Sequence, residues 1–273
     1  VIGQWCPPYW RAPLVFAKQI SSIFTSLFHK YLIRLTLVLW LTVSSHGNLK
    51  GITMERPLSH LAHLEITSPD VEASAVFYEE KFGMRIVDRA EGKIYLRCWG
   101  DYYRYSLVVV PGEVASLARM AWRTNSAAAL EAAAAQVEAN GVQGTWSEGG
   151  LGYGRAYEFT GPYGHHMRLV YDVERFAADE EFASIYPDRP EKRSSHAAAP
   201  RFLDHVTVAS SDVRGFADWY NKALDFRIMA FTDAAGAPAL RRFAERVIVL
   251  PAEHPFAAPI LYAIPVQVLA YHV

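Results

Sequence analysis

Two histidines, His63 and His205, stand at the same position of a stretch that occurs twice in the chain. Imidazole is the commonest side-chain ligand of metal ions in proteins, so a histidine repeated in this way is a candidate metal ligand. A single histidine on a strand is more often a hydrogen-bonded core residue. The choice between these roles depends on the elements around each histidine and on the other side chains that they bring together.

The repeated stretch covers residues 61–87 and 203–229, and the two copies align without a gap. Each copy opens with alternating apolar residues, which are typical of a half-buried strand. Asp70 and Asp212 then stand where an N-cap side chain would accept from the amides of a helix's first turn. Gly83 predicts a left-handed end to the first helix, and a second strand follows. The duplication predicts two strand-helix-strand units.

Further alternating segments extend these units into modules of four strands and one helix. The first module has predicted strand 60–67, helix 70–82, and strands 84–89, 94–99 and 105–110. The second has predicted strand 117–123, a helix that is capped at 125–126 and ends at 139, and strands 143–146, 155–160 and 166–171. The sequence therefore predicts an α+β fold of tandem βαβββ modules over 58–172.

Changes in this pattern predict the domain boundaries. Residues 54–173 form a first, two-module domain, 174–200 a linker rich in charge and proline, and 201–273 a second domain. The second domain is predicted to be incomplete, since its pattern fades from about residue 232 and the later apolar runs are broken by prolines. A truncation or a reading-frame shift near 232–240 accounts for that loss.

Residues 1–53 differ from the rest of the chain. They are rich in aromatic and aliphatic residues, and the first methionine is Met54. A signal peptide would have its basic and apolar regions nearer the start. A membrane anchor would need roughly 20 apolar residues, and Arg34 interrupts a shorter run. We favour a third interpretation, in which 1–53 is a non-native extension translated from DNA upstream of Met54.

Bulk composition excludes some partners. The formal net charge of −1 gives no basis for binding nucleic acid or an anionic membrane. The two cysteines, Cys6 and Cys98, form no disulfide framework. A reducing, cytoplasmic location is therefore expected.

Four stretches resemble the vicinal-oxygen-chelate superfamily, and within it the type I extradiol dioxygenases of the catechol 2,3-dioxygenase kind. They are KIYLRCWGD at 93–101, GYGRAYEF at 152–159, GPYGHHMRLVY at 161–171 and LDHV at 203–206. The resemblance implies tandem βαβββ modules with a metal-free first domain. It also implies a second domain that holds Fe(II) through two histidines and a carboxylate, with a catechol and dioxygen as substrates and a homo-oligomeric assembly.

The resemblance assigns ligand positions to residues of this chain. In the first domain they hold His63, Arg119 and Arg168, and two arginines cannot hold a divalent metal, so His63 is expected to be structural. In the second domain His205 holds the first ligand position. The remaining histidine and glutamate are not identifiable, because the repeat spacing places them near residue 261 and near residue 310. His272 and His254 lie downstream of His205, but neither stands in a family motif.

The favoured function is extradiol cleavage of catechol-type diols by descent, in a chain that is itself inactive because metal ligands are missing. The catalytic residues beyond the metal position stay unassigned. Two other functions remain open on the same fold. One is a glyoxalase-like isomerase or thiol transferase, and the other is a metal-free protein that binds a small molecule.

Overall fold

The computed structural model describes residues 40–42, 56–186, 189–193, 196–206, 208, 210–242, 244–251 and 264–265. All of them belong to one compact unit that spans 36–273. The strands are β1 (Trp40–Thr42), β2 (Leu58–Ser68), β3 (Arg85–Ala90), β4 (Lys93–Arg97), β5 (Leu107–Pro111), β6 (Ser116–Thr124), β7 (Gly144–Ser147), β8 (Ala156–Thr160), β9 (His166–Val170), β10 (Arg227–Thr232) and β11 (Arg246–Val249). The helices are α1 (Val71–Phe82), α2 (Ala127–Ala139), α3 (Val213–Leu224) and α4 (Ala237–Leu240).

Eight strands form one mixed sheet in the order β3-β4-β5-β2-β6-β9-β8-β7. In the first module β2 is parallel to β5, and β3, β4 and β5 are successively antiparallel. The second module repeats this arrangement, with β6 parallel to β9 and β7, β8 and β9 antiparallel. The antiparallel pair of β2 and β6 joins the two modules at the centre of the sheet. The predicted α+β fold of tandem βαβββ modules is confirmed.

Local capping chemistry sets the ends of the two repeated helices. The Asp70 carboxylate accepts from the Ala73 amide at the start of α1, and the Asp212 carboxylate accepts from the Gly215 amide at the start of α3. α1 ends at Gly83 with a φ of 69°, in the left-handed region that glycine adopts without strain. The repeat therefore reproduces the helix entry in both copies.

The second copy departs from the first on both sides of its helix. Residues 203–206 have no regular secondary structure, so the strand predicted around His205 is wrong for these residues. After β10 the chain passes through α4 and returns as β11, which pairs parallel to β10, whereas β3 and β4 are antiparallel. A tight turn with positive φ at Glu91 and Gly92 makes the β3–β4 hairpin. The helical turn of α4 instead carries the chain back for a parallel pair.

The other edge of β10 pairs antiparallel with β1, with Trp40 opposite Met229. β1 lies inside the stretch 1–53 that is predicted to be a non-native extension, and the other residues of that stretch lie outside the described part of the chain. The domain boundaries at 53, 173 and 200 remain predictions.

Helix α3 shares a core with the first two modules. Phe216, Tyr220 and Leu224, which recur along one face of α3, are buried in the same cluster as Trp122 of β6 and Phe159 of β8. The Trp122 and Phe226 rings meet edge to face, with centroids 5.1 Å apart. The described residues show no β-sheet built from 203–206 on which α3 could pack. The apolar face of α3 is therefore buried by packing against the second module.

Among the residues that the structure describes, no helix combines the length and the apolar character needed to cross a membrane.

Candidate functional site

Five charged or ionisable side chains meet where the two modules join. His63 and Glu65 stand on β2, Arg119 on β6, Glu158 on β8 and Arg168 on β9. Strand register brings them together, because Glu65 lies opposite Arg119 and Glu158 lies opposite Arg168. Period-2 alternation along β2 places His63 and Glu65 on the same face of the sheet. We call these five residues the central cluster.

Arg168 is the hub of the central cluster, and its side chain is almost fully buried. Its Nη1 donates to Glu65 Oε1 at 2.5 Å and its Nε donates to Glu158 Oε1 at 2.8 Å. Arg119, which is partly exposed, lies 3.5 Å from Glu65 Oε2 and 3.3 Å from Glu158 Oε2. The two arginines and two glutamates compensate one another's charge, as buried ions must.

His63 completes the cluster as a neutral acceptor. Its ring is buried, and Nε2 lies 3.2 Å from Arg168 Nη1. A guanidinium can only donate, so Nε2 accepts and the ring proton belongs on Nδ1. Glu65 Oε1 lies 3.7 Å from the same nitrogen, beyond hydrogen-bond distance. Burial, and after it the positive charges of Arg168 and Arg119, lower the pKa of His63. The expectation that His63 is structural agrees with these contacts.

Glu65 is held as a carboxylate. Burial alone would raise its pKa, but the guanidinium groups of Arg168 and Arg119 outweigh that effect and lower the pKa to about 2. The glutamate therefore stays charged over the whole range in which the protein would work, and it keeps the two arginines in place.

Three tyrosines border the central cluster. The Tyr105 ring meets the His63 ring edge to face at 5.0 Å, and its hydroxyl donates to the Leu151 carbonyl at 2.6 Å. The Arg168 guanidinium lies over the Tyr153 ring, 4.3 Å from its centroid. Tyr95 packs edge to face on Tyr105 at 4.9 Å. These rings exclude water from the ion pairs and strengthen them.

The central cluster does not fit a metal ion. Arg119 and Arg168 stand at the positions that the family resemblance gives to the second and third ligands, and arginine has no lone pair to offer a metal. Sequence reasoning identified His63, Arg119 and Arg168 but missed Glu65 and Glu158. The signal for Glu65 was its spacing of two residues from His63 on a predicted strand.

His205, the predicted ligand of the second domain, has a different environment. Its side chain is 43% exposed, and Nδ1 lies 3.0 Å from the Asp204 carboxylate. Within the described part of the chain, no group of three or more His, Cys, Asp or Glu side chains is arranged to hold a metal. His254 and His272 lie outside the described residues. A metal role for His205 therefore remains a prediction.

A model of the Glyoxalase/Bleomycin resistance protein/Dioxygenase superfamily matches residues 60–169. Residues 60–169 are thus similar to the domain that this model describes. The match covers β2 to β9 and includes every residue of the central cluster. The matched stretch coincides with the pair of modules seen in the fold.

Two relatives are similar to more than half of the chain. The chain is 33% identical over 171 residues to a metapyrocatechase of Geobacillus stearothermophilus, a match that covers 63% of this chain and 52% of the relative. It is 31% identical over 180 residues to a manganese-dependent 2,3-dihydroxybiphenyl 1,2-dioxygenase of Geobacillus genomosp. 3, covering 65% of this chain and 57% of that protein. The chain therefore matches little more than half the length of either relative.

A solved structure shares the fold. The 2,3-dioxygenase LapB of Pseudomonas sp. KL28 superposes with a TM-score of 0.55 at 20% identity, covering 62% of this chain and 59% of that chain.

A separate sequence similarity is to a different enzyme. A stretch of 52 residues, 19% of this chain, is 60% identical to a glutamine–fructose-6-phosphate aminotransferase (isomerizing) of Gluconobacter oxydans and covers 9% of that enzyme. Part of the chain is thus similar to a protein that is not named as a dioxygenase.

Proposed function

We propose that the chain descends from an extradiol dioxygenase, which cleaves catechol-type aromatic diols with dioxygen, and that residues 58–172 are the metal-free first domain of that enzyme. The central cluster is the observation that carries the proposal. Arg168 and Arg119 are paired with Glu65 and Glu158, and they stand at positions that the family resemblance gives to metal ligands. A metal-dependent isomerase built on these two modules alone would need metal ligands there. The names of the two dioxygenase relatives support the same descent.

We propose further that this chain does not retain a catalytic metal. His205 offers one ligand position, and the described residues form no group of three or more His, Cys, Asp or Glu side chains that could hold a metal there. One imidazole beside one exposed aspartate holds a divalent ion weakly, since stable sites use at least three protein ligands. The resemblance implies Fe(II), whereas one relative is named as manganese-dependent, so both ions have to be tested.

The experiment uses the full chain together with His63→Ala and His205→Ala. Each protein is incubated anaerobically with Fe(II) or Mn(II) and desalted, and its bound metal is measured. Oxygen uptake and ring-opened product are then followed with catechol. We expect the unmodified chain to retain no more metal than His205→Ala and to consume no oxygen.

Three outcomes would change the proposal. Metal that is retained by the chain and lost in His205→Ala, together with ring cleavage, would support the descent but overturn the claim of inactivity. Metal that is lost only in His63→Ala would show that the wrong domain has been called metal-free. Turnover of methylglyoxal with glutathione would instead favour the isomerase.

A further inference from the structure

The segment that follows β9, residues 172–201, contacts the first module through its described residues 172–186, 189–193 and 196–201. We call it the strap. At its start the Phe176 amide donates to the Tyr102 carbonyl at 3.0 Å and the Glu174 amide donates to the Gly152 carbonyl at 2.8 Å. Near its end the Ala199 amide donates to the Phe82 carbonyl at 2.7 Å. Its backbone is therefore bonded to the superfamily domain at both ends, although the family match stops at residue 169.

The last bonds of the strap are made with a loop after β4. The Gly100 amide donates to the Arg201 carbonyl at 2.7 Å, and the Trp99 indole donates to the Ala199 carbonyl at 2.9 Å. A Cβ on Gly100 would lie 2.6 Å from the Arg201 side chain, so the two backbones approach closely. This contact fixes the chain four residues before His205.

Glu191 locks the middle of the strap. Its carboxylate binds the guanidinium of Arg97, whose side chain is fully buried, and lies 3.1 Å from Arg85 Nη1. Arg97 also donates to the Asp101 carbonyl at 2.6 Å, and its guanidinium lies 3.5 Å over the ring of Phe176, another strap residue. The strap thus supplies both the counter-charge and the aromatic cover of a buried cation. A buried guanidinium without its partner is strongly destabilising.

A short backbone ladder presents Glu191 to Arg97. The Lys192 amide donates to the Phe182 carbonyl at 2.8 Å, and Ala183 pairs with Glu191 as an antiparallel bridge. Glu191 is therefore held from its own segment as well as from the domain. Because these backbone bonds already hold the Glu191 segment in place, less conformational entropy is lost when Glu191 pairs with Arg97.

We infer that Glu191 is a positioning residue, which locks the strap onto Arg97 and Arg85 and thereby fixes the backbone that carries Asp204 and His205. On the far side of that backbone, Val206 and Val208 pack against the core that α3 shares with the second module. Asp204 and His205 are thus held between an anchored strap and an anchored core. The inference rests on the proposed function only for the importance of His205, and its test measures no catalysis.

The test compares the full chain with Glu191→Gln and with a matched control, Glu181→Gln, which changes an exposed glutamate of the same strap. Hydrogen exchange is measured over 174–201, and the histidine ring signals are assigned by heteronuclear NMR. In Glu191→Gln we expect about tenfold faster exchange over the strap and a shift of the His205 ring signals. The buried His63 ring should keep its signals and serve as the internal control. Glu181→Gln should change neither.

A double variant without either charge distinguishes a loss of positioning from a general loss of the fold. Glu191→Leu alone leaves Arg97 buried without a counter-charge, whereas Glu191→Leu combined with Arg97→Met removes both charges. We expect the double variant to recover the strap protection that the single variant loses. Unchanged His205 signals in Glu191→Gln, or a joint shift of the His205 and His63 signals, would overturn the inference. Loss of ring cleavage or of metal would not bear on it.

Discussion

The central cluster makes Arg168 the residue on which the centre of the first domain depends. Its buried guanidinium neutralises Glu65 and Glu158, and both carboxylates would otherwise keep charges in a mostly buried site. Removing one member of such a network leaves the remaining buried charges without a partner. The free energy lost is then larger than the contribution of any single ion pair. The contacts of Arg168 are therefore expected to be structurally important.

We expect Arg168→Met to lower the free energy of unfolding by about 3 kcal/mol, measured by urea denaturation. The matched control is Arg89→Met, which breaks the exposed Arg89–Glu72 pair and should cost much less, because solvent screens an exposed ion pair. Equal losses in the two variants would show that burial of the cluster does not matter.

His60 predicts how stability depends on pH. Its ring stacks on Tyr103 with centroids 5.3 Å apart, and burial together with the charge of Arg123 lowers its pKa to about 4. Between pH 6.5 and 4 the unfolded chain therefore binds more protons than the folded one. The contribution from neutral His60 is fully present above pH 6.5 and is lost as pH falls through 4.

This loss amounts to up to about 3 kcal/mol, by the rule of about 1.4 kcal/mol for each pKa unit. Urea denaturation at a series of pH values checks it. His60→Gln should reduce the slope of the curve between pH 6.5 and 4 without removing it, because the lowered pKa of the buried His63 ring gives a slope of the same sign. It should leave in place the later loss between about pH 4.5 and 2, which the lowered pKa of Glu65 predicts. A variant with the original slope above pH 4 would contradict the assignment to His60.

At the residue scale, the sequence predicted the members of the cluster that carry a family position, namely His63, Arg119 and Arg168. It could not predict that Glu65 and Glu158 would compensate them. That pairing depends on cross-strand register between β2, β6, β8 and β9, which bring together residues about 100 positions apart in the chain.

At the scale of elements, α1 and α3 have the same capping signals but different surroundings. The α3 residue Tyr220 is buried in the shared core, and its hydroxyl has no hydrogen-bond partner within the described part of the chain. Burial raises its pKa. A buried hydroxyl without a partner costs free energy that a phenyl ring would not.

We expect Tyr220→Phe to raise the free energy of unfolding by about 1 kcal/mol. The control is Tyr157→Phe in the same core. The Tyr157 hydroxyl accepts from the Gly144 amide at 2.8 Å and donates to Glu138 at 2.9 Å, so its loss should be destabilising by about 1 kcal/mol. Thermal denaturation should show a higher melting temperature for Tyr220→Phe and a lower one for Tyr157→Phe. Destabilisation by Tyr220→Phe would contradict the described packing of α3.

Elements were predicted correctly where hydrogen bonds within one turn determine the structure. The prediction failed where a strand needs a neighbouring strand in order to form. The helix starts at Asp70 and Asp212 follow from a side chain that bonds within one turn. The strand expected at 203–206 does not form, because alternation makes a segment competent to pair but does not supply a neighbour. The first copy has that neighbour in β5 and β6, on both sides of β2.

At the scale of the whole molecule, the described residues do not form two copies of one domain. Its first two modules form a complete eight-stranded sheet. The described residues after α3 form a small sheet in which β10 and β11 run parallel, unlike the hairpins of a βαβββ module. The sequence predicted that the family pattern is lost after about residue 232. It could not predict the parallel pairing, which depends on where α4 returns the chain.

The shared core leads to a prediction about cooperativity. Phe216 of α3 is buried with Trp122 and Leu130 of the second module. If 201–273 folded as a separate domain, a change in α3 would leave the unfolding of 58–172 unaffected. Because the core is continuous, we expect Phe216→Ala to destabilise both parts together, by about 4 kcal/mol.

Urea unfolding is followed by tryptophan fluorescence and, peptide by peptide, by hydrogen exchange. In Phe216→Ala the peptides of β6, α2 and β9 should lose protection to the same extent as those of α3, since a shared core opens as one unit. The control is Val76→Ala on the exposed face of α1, which should change stability by less than about 0.5 kcal/mol. Loss of protection confined to 210–232 would show that α3 only rests on the first domain. The predicted boundary at residue 200 would then separate two independent folding units.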